Sequence, residues 1–302
     1  MINNKISVII PIFDTNQNFL AECFDSINNQ SYKNFEVILV NDCSRKFSIA
    51  QFINKYAKEH ENYKVINLPN NLGPGNARNV GVKNSIGEII VYVDSDDYLL
   101  PTCFEIINES FNKWQELDIL SFENRILMSD GKIIDAAGIK FYTEHPVNIN
   151  NWKNVIQDKC SVWAKAYSKK FILNNNIWFK EKDMYLEDLY YQILTYSKAK
   201  SIIFRPEVLY MLRETMNSRA LSEFNYKKAN DIFLVMKEAY ENIKNDNSEI
   251  SKNYDLYFER IFFNKLEHNI KNPAFKQAPE YKSLVDKANN FIRELQNSKL
   301  KK

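Results

Sequence analysis

The stretch Gly87-Glu88-Ile89-Ile90-Val91-Tyr92-Val93-Asp94-Ser95-Asp96-Asp97 decides the fold of this chain. Residues 89–93 form a short apolar run rich in β-branched side chains, which is typical of a strand buried on both faces. Three carboxylates, those of Asp94, Asp96 and Asp97, follow within four residues. Such closely spaced negative charges repel one another, and a divalent cation bound by oxygen ligands is the compensation we expect. Because ligands collect at the carboxyl ends of strands in α/β sheets, we predict that Asp94 and Asp96 hold a metal ion and that the metal holds a diphosphate.

The acidic segment also allows two other interpretations. A D-x-D triplet alone is common and marks a solvated turn more often than a metal site. A calcium loop of the EF-hand kind starting at Asp94 would place Glu105 at its twelfth position. However, Leu99 stands where that loop requires glycine, and Tyr98 replaces an oxygen ligand. The EF-hand is therefore excluded, and the solvated turn stays open.

The composition is that of an ordinary soluble globular protein. The 302 residues are 45% hydrophobic and 26% charged, and the net charge of +2 gives no sign of a nucleic-acid partner. No apolar run approaches the roughly 20 residues of a membrane span, and the start lacks a signal-peptide core. A reduced, cytoplasmic setting is predicted, because the cysteines show neither a C-x-x-C pair nor a disulfide framework. These cysteines are Cys23, Cys43, Cys103 and Cys160.

Strand and helix patterns alternate through the first hundred residues, which predicts a mostly parallel sheet with helices on both faces. Strands are predicted at residues 5–12, 35–40, 64–67 and 88–93, with helices around 20–27, 48–60 and 76–84. Parallel strands end at the same edge of a sheet. Phe13, Asp42 and the acids from Asp94 to Asp97 should therefore lie close together at that edge.

The pattern is less regular after residue 100. A helix should begin near Pro101, a strand should cover 118–122, and residues 129–132 have the composition of a hairpin turn. Helices are predicted around 152–156, through 172 and over 186–194. A strand interrupted by Pro206 should cover 201–213, and mostly helical chain should follow residue 222. We divide the chain at these changes of pattern into residues 1–125, residues 126–222 and a C-terminal helical region (223–302).

Four short motifs occur in an order and spacing that closely resemble family 2 of the glycosyltransferases, which are enzymes of the GT-A fold. They are Pro11-Ile12-Phe13, Val40-Asn41-Asp42-Cys43-Ser44, Asn71-Leu72-Gly73-Pro74-Gly75-Asn76-Ala77-Arg78-Asn79 and Val93-Asp94-Ser95-Asp96-Asp97. Each motif alone is weak, and the ordered set is strong. The resemblance covers about residues 5–125.

The resemblance resumes in the second half of the chain. The matching segments are Val162-Trp163-Ala164-Lys165, Leu186-Glu187-Asp188-Leu189 and Leu209-Tyr210-Met211-Leu212-Arg213. They look like members that build bacterial surface glycans, including lipooligosaccharide galactosyl- and N-acetylhexosaminyltransferases.

The resemblance implies a UDP-sugar donor held by Mg²⁺ or Mn²⁺. Asp42 can accept the N3–H of uracil, whereas cytosine presents a bare acceptor there; thymine shares the N–H, so a dTDP-sugar stays open. Relatives also place the aromatic residue near Phe13 on the base. The alternatives are a turn or helix cap for Asp42 and core packing for Phe13. Asp94 matches the family aspartate that faces ribose and metal, and Asp96 the one that binds the metal directly.

The motifs supply further candidates for donor binding. Pro11, Asn76 and Ser95 belong to them, and Arg78 could reach the diphosphate as a charge-assisted donor or pair instead with nearby carboxylates. Arg213 matches a position near the donor phosphates of relatives, as does residue 218, although residues 216–219 depart from the usual run.

A catalytic base and an acceptor platform are expected in the second half. Glu187-Asp188 resembles the acidic pair of the family, whose aspartate is taken as the base that deprotonates the acceptor hydroxyl. Glu187 would orient Asp188 or contact the acceptor. The alternative is two acids favoured by the dipole of a helix N-terminus. Trp163 and Lys165 could form an acceptor platform, with core packing as the alternative for Trp163.

The sequence thus predicts an inverting, metal-dependent glycosyltransferase. It would move a hexose or N-acetylhexosamine from a UDP-sugar to a surface-glycan acceptor, namely lipooligosaccharide, capsule or a lipid-linked oligosaccharide. The alternative is a non-catalytic module of the same fold that binds nucleotide-sugars or glycans. A sugar nucleotidyltransferase is disfavoured, because residues 11–15 lack glycine and arginine. The C-terminal helices, ending in Lys299, Lys301 and Lys302, could contact an anionic membrane peripherally, and a solvated face is the favoured alternative.

Overall fold

The computed structural model describes residues 3–136, 142–148, 161–181, 185–215, 225–269 and 276–299. The strands are β1 (Ile6–Ile12), β2 (Phe35–Asn41), β3 (Tyr63–Asn67), β4 (Ile89–Tyr92), β5 (Tyr98–Leu99), β6 (Ile119–Leu127), β7 (Ile133–Asp135), β8 (Lys165–Ser168) and β9 (Ile202–Arg213). The helices are α1 (Gln17–Asn28), α2 (Phe47–Glu59), α3 (Pro74–Asn84), α4 (Cys103–Lys113), α5 (Lys169–Asn174), α6 (Glu187–Lys198), α7 (Tyr226–Ile243), α8 (Glu249–Lys252), α9 (Tyr254–Asn269) and α10 (Pro279–Lys299).

These strands form one mixed sheet in the order β3-β2-β1-β4-β8-β6-β9-β5, and β7 pairs with β6. The β3, β2, β1 and β4 strands are parallel, which confirms the prediction for the first hundred residues. The β8 strand lies between β4 and β6 and is antiparallel to both, so β6 and its parallel neighbour β9 run in the same direction as β4. Strands β5 and β7 also run the opposite way. The sheet is therefore mostly parallel, with three opposing strands among the described residues.

Helices cover both faces of the sheet because both faces of its central strands are apolar. Val8 and Ile10 pack on one side with Phe24 of α1, together with side chains from α2 and α4. Ile9 and Ile90 point to the other side, where α3, α5, α6 and the C-terminal helices contribute the core. Full burial of one such aliphatic side chain is worth about 1.5–3 kcal/mol, so alternation along the strands fixes which helix covers which face.

The first helix illustrates how the local sequence produces its element. The Asn16 side chain accepts a hydrogen bond from the Asn18 N–H at 2.9 Å and caps the N-terminus of α1. The buried face of α1 consists of the four residues that the periodicity picks out. They are Leu20, Cys23, Phe24 and Ile27.

The hairpin turn is confirmed. Gly131 has a φ of +84°, which favours glycine, and the Met128 N–H donates to the Lys132 carbonyl at 2.8 Å between β6 and β7. The β9 strand, in contrast, runs through Pro206 without a break. Only its pairing with β6 is irregular there: the register shifts between Phe204 and Val208, where Pro206 has no N–H to donate, and again between Val208 and Tyr210. The helix predicted around 152–156 lies outside the described residues.

The C-terminal region is helical, as predicted, and is built around aromatic side chains. Phe233 of α7 makes edge contacts with Phe258 and Phe262 of α9 and with Phe291 of α10, at ring-centroid distances of 6.0–6.1 Å. These residues belong to the same core that lies under α6, so the helices continue one face of the sheet. None of the described helices is both long and apolar enough to span a membrane.

Helix α3 approaches β1 so closely that Gly81 is required at the contact. A Cβ atom on Gly81 would lie 2.3 Å from Cγ2 of the buried Ile9. Gly81→Ala should therefore destabilise the fold by about 1–3 kcal/mol, despite the better helix propensity of alanine. Denaturant unfolding measures the loss. The double variant Ile9→Ala/Gly81→Ala should lose less stability than the sum of the single changes, and additive losses would contradict the contact.

Candidate functional site

The loops that follow β1, β2 and β4 meet at one edge of the sheet, as predicted. The Thr15 and Ser95 hydroxyls are 2.6 Å apart, and the Asp14 N–H donates to the Ser44 hydroxyl at 3.2 Å. Asp14 and Cys43 have φ values of 51° and 58°, a left-handed conformation that few such residues adopt. Backbone strain of this kind concentrates at functional sites, and here it lies where the chain leaves two neighbouring strands.

The guanidinium of Arg78 contacts three carboxylates at this edge. An Arg78 terminal nitrogen lies 2.7 Å from Asp94 Oδ1, and the other lies 3.0 Å from Asp188 Oδ1 and 3.4 Å from Glu187 Oε1. The Arg78 side chain is only 3% exposed and lies over the Phe179 ring at 5.4 Å. The carboxylates raise the pKa of Arg78 further above its ordinary range, although burial opposes this. Of the two roles left open for Arg78, the structure shows the pairing with carboxylates.

Helix α3 contacts the chain before α6 as well as α6 itself. The Asn79 side chain donates to the Phe179 carbonyl at 2.8 Å and accepts from the Phe179 N–H at 2.9 Å. Leu186, immediately before α6, has a φ of 63°, a left-handed conformation that is uncommon for leucine. The first turn of α6, with Glu187 and Asp188, lies against Arg78 of α3.

Asp188 is the most constrained acid of the cluster. Its Oδ1 faces Arg78, and its Oδ2 accepts the Val162 N–H at 3.3 Å. Burial raises the pKa of Asp188 above its ordinary value, while the Arg78 charge works in the opposite direction. A carboxylate that is held in place and more basic than usual can take a proton from a hydroxyl, which is the role predicted for it.

The acidic loop after β4 is anchored from β9. The Tyr210 hydroxyl donates to Asp97 Oδ2 at 2.5 Å and accepts the Asp94 N–H at 3.2 Å, and the Arg213 N–H donates to Asp97 Oδ1 at 2.7 Å. Asp97 is 1% exposed, and burial with the charges of Asp94 and Asp96 raises its pKa well above the ordinary value. Asp97 therefore joins the acidic loop to β9.

Asp94 and Asp96 fit a divalent cation through their donor chemistry. Burial and the Asp94 charge raise the pKa of Asp96 to about 6. The negative charge of ionised Asp96 is therefore not fully balanced by neighbouring positive charges or hydrogen-bond donors. In the described part of the chain no three His, Cys, Asp or Glu side chains converge on a common metal position. Mg²⁺ is commonly bound by one or two carboxylates completed by phosphate oxygens, which is the arrangement that Asp94 and Asp96 would provide.

Arg213 braces the acidic loop rather than lying open at the surface. Its Nε donates to the Asp96 carbonyl at 3.0 Å, and its guanidinium pairs with Glu22. The Arg213 Cζ lies 4.4 Å from the Phe19 ring centroid and 5.7 Å from that of Tyr98. The phosphate contact of Arg213 stays a prediction, and residues 216–219 lie outside the described chain.

Asp42 closes the turn that leads into α3. Its two oxygens accept the Leu72 N–H at 2.9 Å and the Gly73 N–H at 2.8 Å, and the residue is 2% exposed. This is a turn contact of the kind given as the alternative for Asp42, and its contact with uracil stays a prediction. Asn76 is half-buried in the first turn of α3.

Phe13 is not core. Its side chain is 40% exposed at the end of β1, and the Arg45 guanidinium lies 5.3 Å from its ring centroid. Pro11 is buried within β1, where it pairs with Val40 of β2, so it shapes the strand end rather than presenting a side chain. The carbonyl of the preceding residue, Ile12, accepts the Asp42 N–H at 2.8 Å, and an exposed ring at this strand end is a surface on which a flat base can stack.

Trp163 and Lys165 differ in exposure. Trp163 is half-buried and stacks on Tyr210, with ring centroids 5.1 Å apart and planes at 18°. Lys165 is 1% exposed, and its ammonium donates to the Ser161 carbonyl at 2.9 Å. An acceptor contact by Lys165 would therefore require the side chain to move, and the platform role of both residues stays a prediction.

Comparison with known proteins identifies the family. Residues 7–164, slightly more than half of the chain, match Glycosyl transferase family 2. The chain belongs to this family. Of its curated relatives, the uncharacterized glycosyltransferase EpsJ of Bacillus subtilis is 29% identical over 230 residues, covering 75% of this chain and 65% of EpsJ.

A second relative is poly(ribitol-phosphate) β-N-acetylglucosaminyltransferase TarS of Staphylococcus aureus, 27% identical over 238 residues, which cover 77% of this chain and 39% of TarS. The chain thus spans less than two thirds of the length of both relatives. The crystal structure of TarS residues 1–349 with UDP-GlcNAc superposes with a TM-score of 0.76 at 23% identity, covering 94% of this chain and 80% of TarS 1–349. This likeness shows that the fold is GT-A.

Sequence reasoning assigned no role to two side chains that organise the site of this family 2 chain. Asn79 lies within a quoted motif, yet a lone asparagine gives no sign of a partner 100 residues away. Tyr210 also lies in a quoted motif, but its bonds to Asp94 and Asp97 depend on the pairing of β9 with β5. A hydroxyl-bearing side chain within the apolar run Val208-Leu209-Tyr210-Met211-Leu212 was the signal that could have found Tyr210.

Proposed function

We propose that this family 2 chain is an inverting, metal-dependent glycosyltransferase that moves a hexose or N-acetylhexosamine from a UDP-sugar to a surface-glycan acceptor. The observation that carries the proposal is the meeting of Asp94, Glu187 and Asp188 around Arg78 at the carboxyl edge of the sheet. Carboxylates from distant parts of the chain that lie this close to one another would supply both the metal ligands and the base that the reaction needs.

The donor is proposed to be a UDP-sugar. Phe13 would stack on the base and Asp42 would accept the uracil N3–H. Asn76 and Ser95 would line the path of ribose and diphosphate between α3 and the loop after β4. The complex of TarS with UDP-GlcNAc, a protein of the same fold and family, supports the choice of nucleotide. Thymine shares the N3–H, so a dTDP-sugar belongs in the donor experiment.

Asp94 and Asp96 would hold Mg²⁺ or Mn²⁺. When bound, such an ion neutralises charge on the departing UDP. Three carboxylates around the single Arg78 charge leave an excess of negative charge, which favours a divalent cation at this edge. The mannosyltransferase PcManGT from Pyrobaculum calidifontis, solved with GDP-Man and Mn²⁺, shares the fold with a TM-score of 0.58 at 15% identity.

Asp188 is proposed as the base. The acceptor hydroxyl oxygen forms a bond to the anomeric carbon while the bond from that carbon to the phosphate oxygen breaks, and its electron pair leaves with UDP. The proton passes to Asp188. Attack opposite UDP inverts the anomeric configuration. Glu187, beside Asp188, would orient it or contact the acceptor, and Trp163 would stack on a sugar face.

The proposed setting is the cytoplasm, with peripheral contact at the inner membrane if the acceptor is a glycolipid. Cys23, Cys43 and Cys103 are free thiols, which a reducing compartment preserves. Lys299 pairs with Asp255, so part of the basic character of α10 is neutralised within the described chain. Surface glycan as the acceptor class rests on the named relatives, since TarS acts on poly(ribitol-phosphate).

The decisive experiment measures the nucleoside diphosphate released from a panel of UDP-sugars, with a dTDP-sugar and GDP-mannose as controls. We expect one UDP-hexose or UDP-N-acetylhexosamine to release UDP with Mn²⁺ or Mg²⁺ and none to do so with EDTA. Metal-dependent UDP binding without release, or without transfer to any glycan offered, would favour the non-catalytic module. Release that continues unchanged in EDTA would contradict the metal.

A further inference from the structure

Arg78 is placed to act on the acids rather than on the donor. Its terminal nitrogens are occupied by Asp94, Glu187 and Asp188, and its side chain is almost fully covered. Its Nε is buried and has no hydrogen-bond partner among the described residues. Electrostatic attraction to the carboxylates therefore holds the guanidinium in place, although not all of its N–H groups have hydrogen-bond partners.

We propose that Arg78 is a positioning residue that fixes Asp188 for the acceptor hydroxyl and joins it to Asp94 on the donor side. The inference rests on the function proposed above and deepens it by assigning Arg78 to the base rather than to the diphosphate. Asp188 has two fixed contacts, the Arg78 guanidinium and the Val162 N–H. Loss of the first would leave the carboxylate held at one oxygen only.

The charges around Arg78 argue against a direct contact with the donor diphosphate. The Arg78 side chain is only 3% exposed, and movement of the guanidinium toward the diphosphate would disturb its three ion pairs with buried or half-buried carboxylates. A donor bound through Asp94 and Asp96 does not need this movement. The two roles predict opposite effects of Arg78 on the affinity for UDP and metal. A phosphate contact would strengthen nucleotide binding, whereas a positive charge beside the acids that hold the metal would oppose metal binding.

The test is a double-mutant cycle of Arg78→Lys and Asp188→Asn, with kcat for UDP-sugar turnover as one readout. Lysine keeps the charge but not the planar fork that contacts two acids at once. We expect Arg78→Lys to lower kcat about 100-fold and to add little in the Asp188→Asn background, because groups that act as a unit are not additive. Additive losses in kcat would overturn the assignment.

The second readout is the dissociation constant of UDP with Mn²⁺, measured by calorimetry. Arg78→Lys should leave it within about threefold, and Arg78→Met should leave it unchanged or tighten it, since a competing positive charge is removed. Weakening by tenfold or more in both variants would assign Arg78 to the diphosphate and overturn the proposal.

Arg125→Lys is the control for effects on folding. Arg125 is exposed and pairs with Asp135 at 2.9 Å, and neither residue belongs to the candidate site. Thermal unfolding of each variant separates lost activity from lost protein. If Arg78→Met does not fold, the kcat and the UDP dissociation constant of Arg78→Lys alone decide the role of Arg78. A wild-type protein with no UDP-sugar turnover would overturn the proposed function and this inference with it, whereas an active wild type with additive losses would overturn only the role of Arg78.

Discussion

Replacement of Asp188 by asparagine is expected to lower the transfer rate by about 100- to 10,000-fold, the range for loss of a general base. Asparagine has nearly the same shape and can still accept the Val162 N–H, so the loop before β8 should stay in place. It cannot take up the proton of the acceptor hydroxyl. Binding of UDP with Mn²⁺ should persist, because Asp94 and Asp96 are unchanged.

Steady-state transfer rates and calorimetric UDP binding, measured on the same preparation, check this result. Asp135→Asn is the matched control, since Asp135 is an exposed carboxylate in a surface ion pair. Transfer retained within about threefold in Asp188→Asn would remove Asp188 from the mechanism. Loss of both UDP binding and transfer would assign it to the donor site instead.

Replacement of Asp96 by asparagine should abolish the effect of Mn²⁺ on UDP affinity. A neutral amide is a weaker ligand than a carboxylate for a hard cation, and Asp94 alone would remain. We expect UDP affinity in Mn²⁺ to fall at least about tenfold, toward the value measured in EDTA.

The stability of this variant separates lost binding from misfolding. The pKa of Asp96 is raised to about 6 by burial and by the charge of Asp94. Ionised Asp96 therefore destabilises the folded metal-free protein, a penalty that grows as pH rises from its ordinary value near 3.8 through about 6. Asparagine removes this penalty, so the melting temperature at pH 7 should not fall. Asp130→Asn in the hairpin is the control, and metal-dependent UDP binding unchanged in Asp96→Asn would exclude Asp96 as a ligand.

The parallel half of the fold could be predicted because each signal there is local. The buried strands are continuous apolar runs, and the polar residues that end them, such as Asp42 and Asp94, mark the edge where they meet. The position of β8 between β4 and β6 could not be predicted in this way. Residues 162–167 have no period that distinguishes a parallel from an antiparallel neighbour, and that choice depends on tertiary packing.

The candidate site shows the same division. The residue types and the order of the motifs singled out Asp94, Asp96 and Asp188 as candidates, but the partner of Arg78 could not be chosen between phosphate and carboxylate. That choice depends on where α6 lies relative to α3, which is a tertiary contact between residues more than 100 positions apart. Burial likewise separates Phe13, exposed, from Lys165, covered, although both were predicted to face a ligand.

Acids from distant segments gather at one edge of the sheet, where we propose that they hold a cation and a nucleotide. Anomalous diffraction at the manganese edge, from crystals grown with UDP and Mn²⁺, tests it most directly. We expect one manganese peak about 2.0–2.5 Å from the carboxylates of Asp94 and Asp96, with UDP phosphate oxygens completing its coordination. Bound UDP with no manganese at these two residues, or manganese bound elsewhere, would contradict the claim.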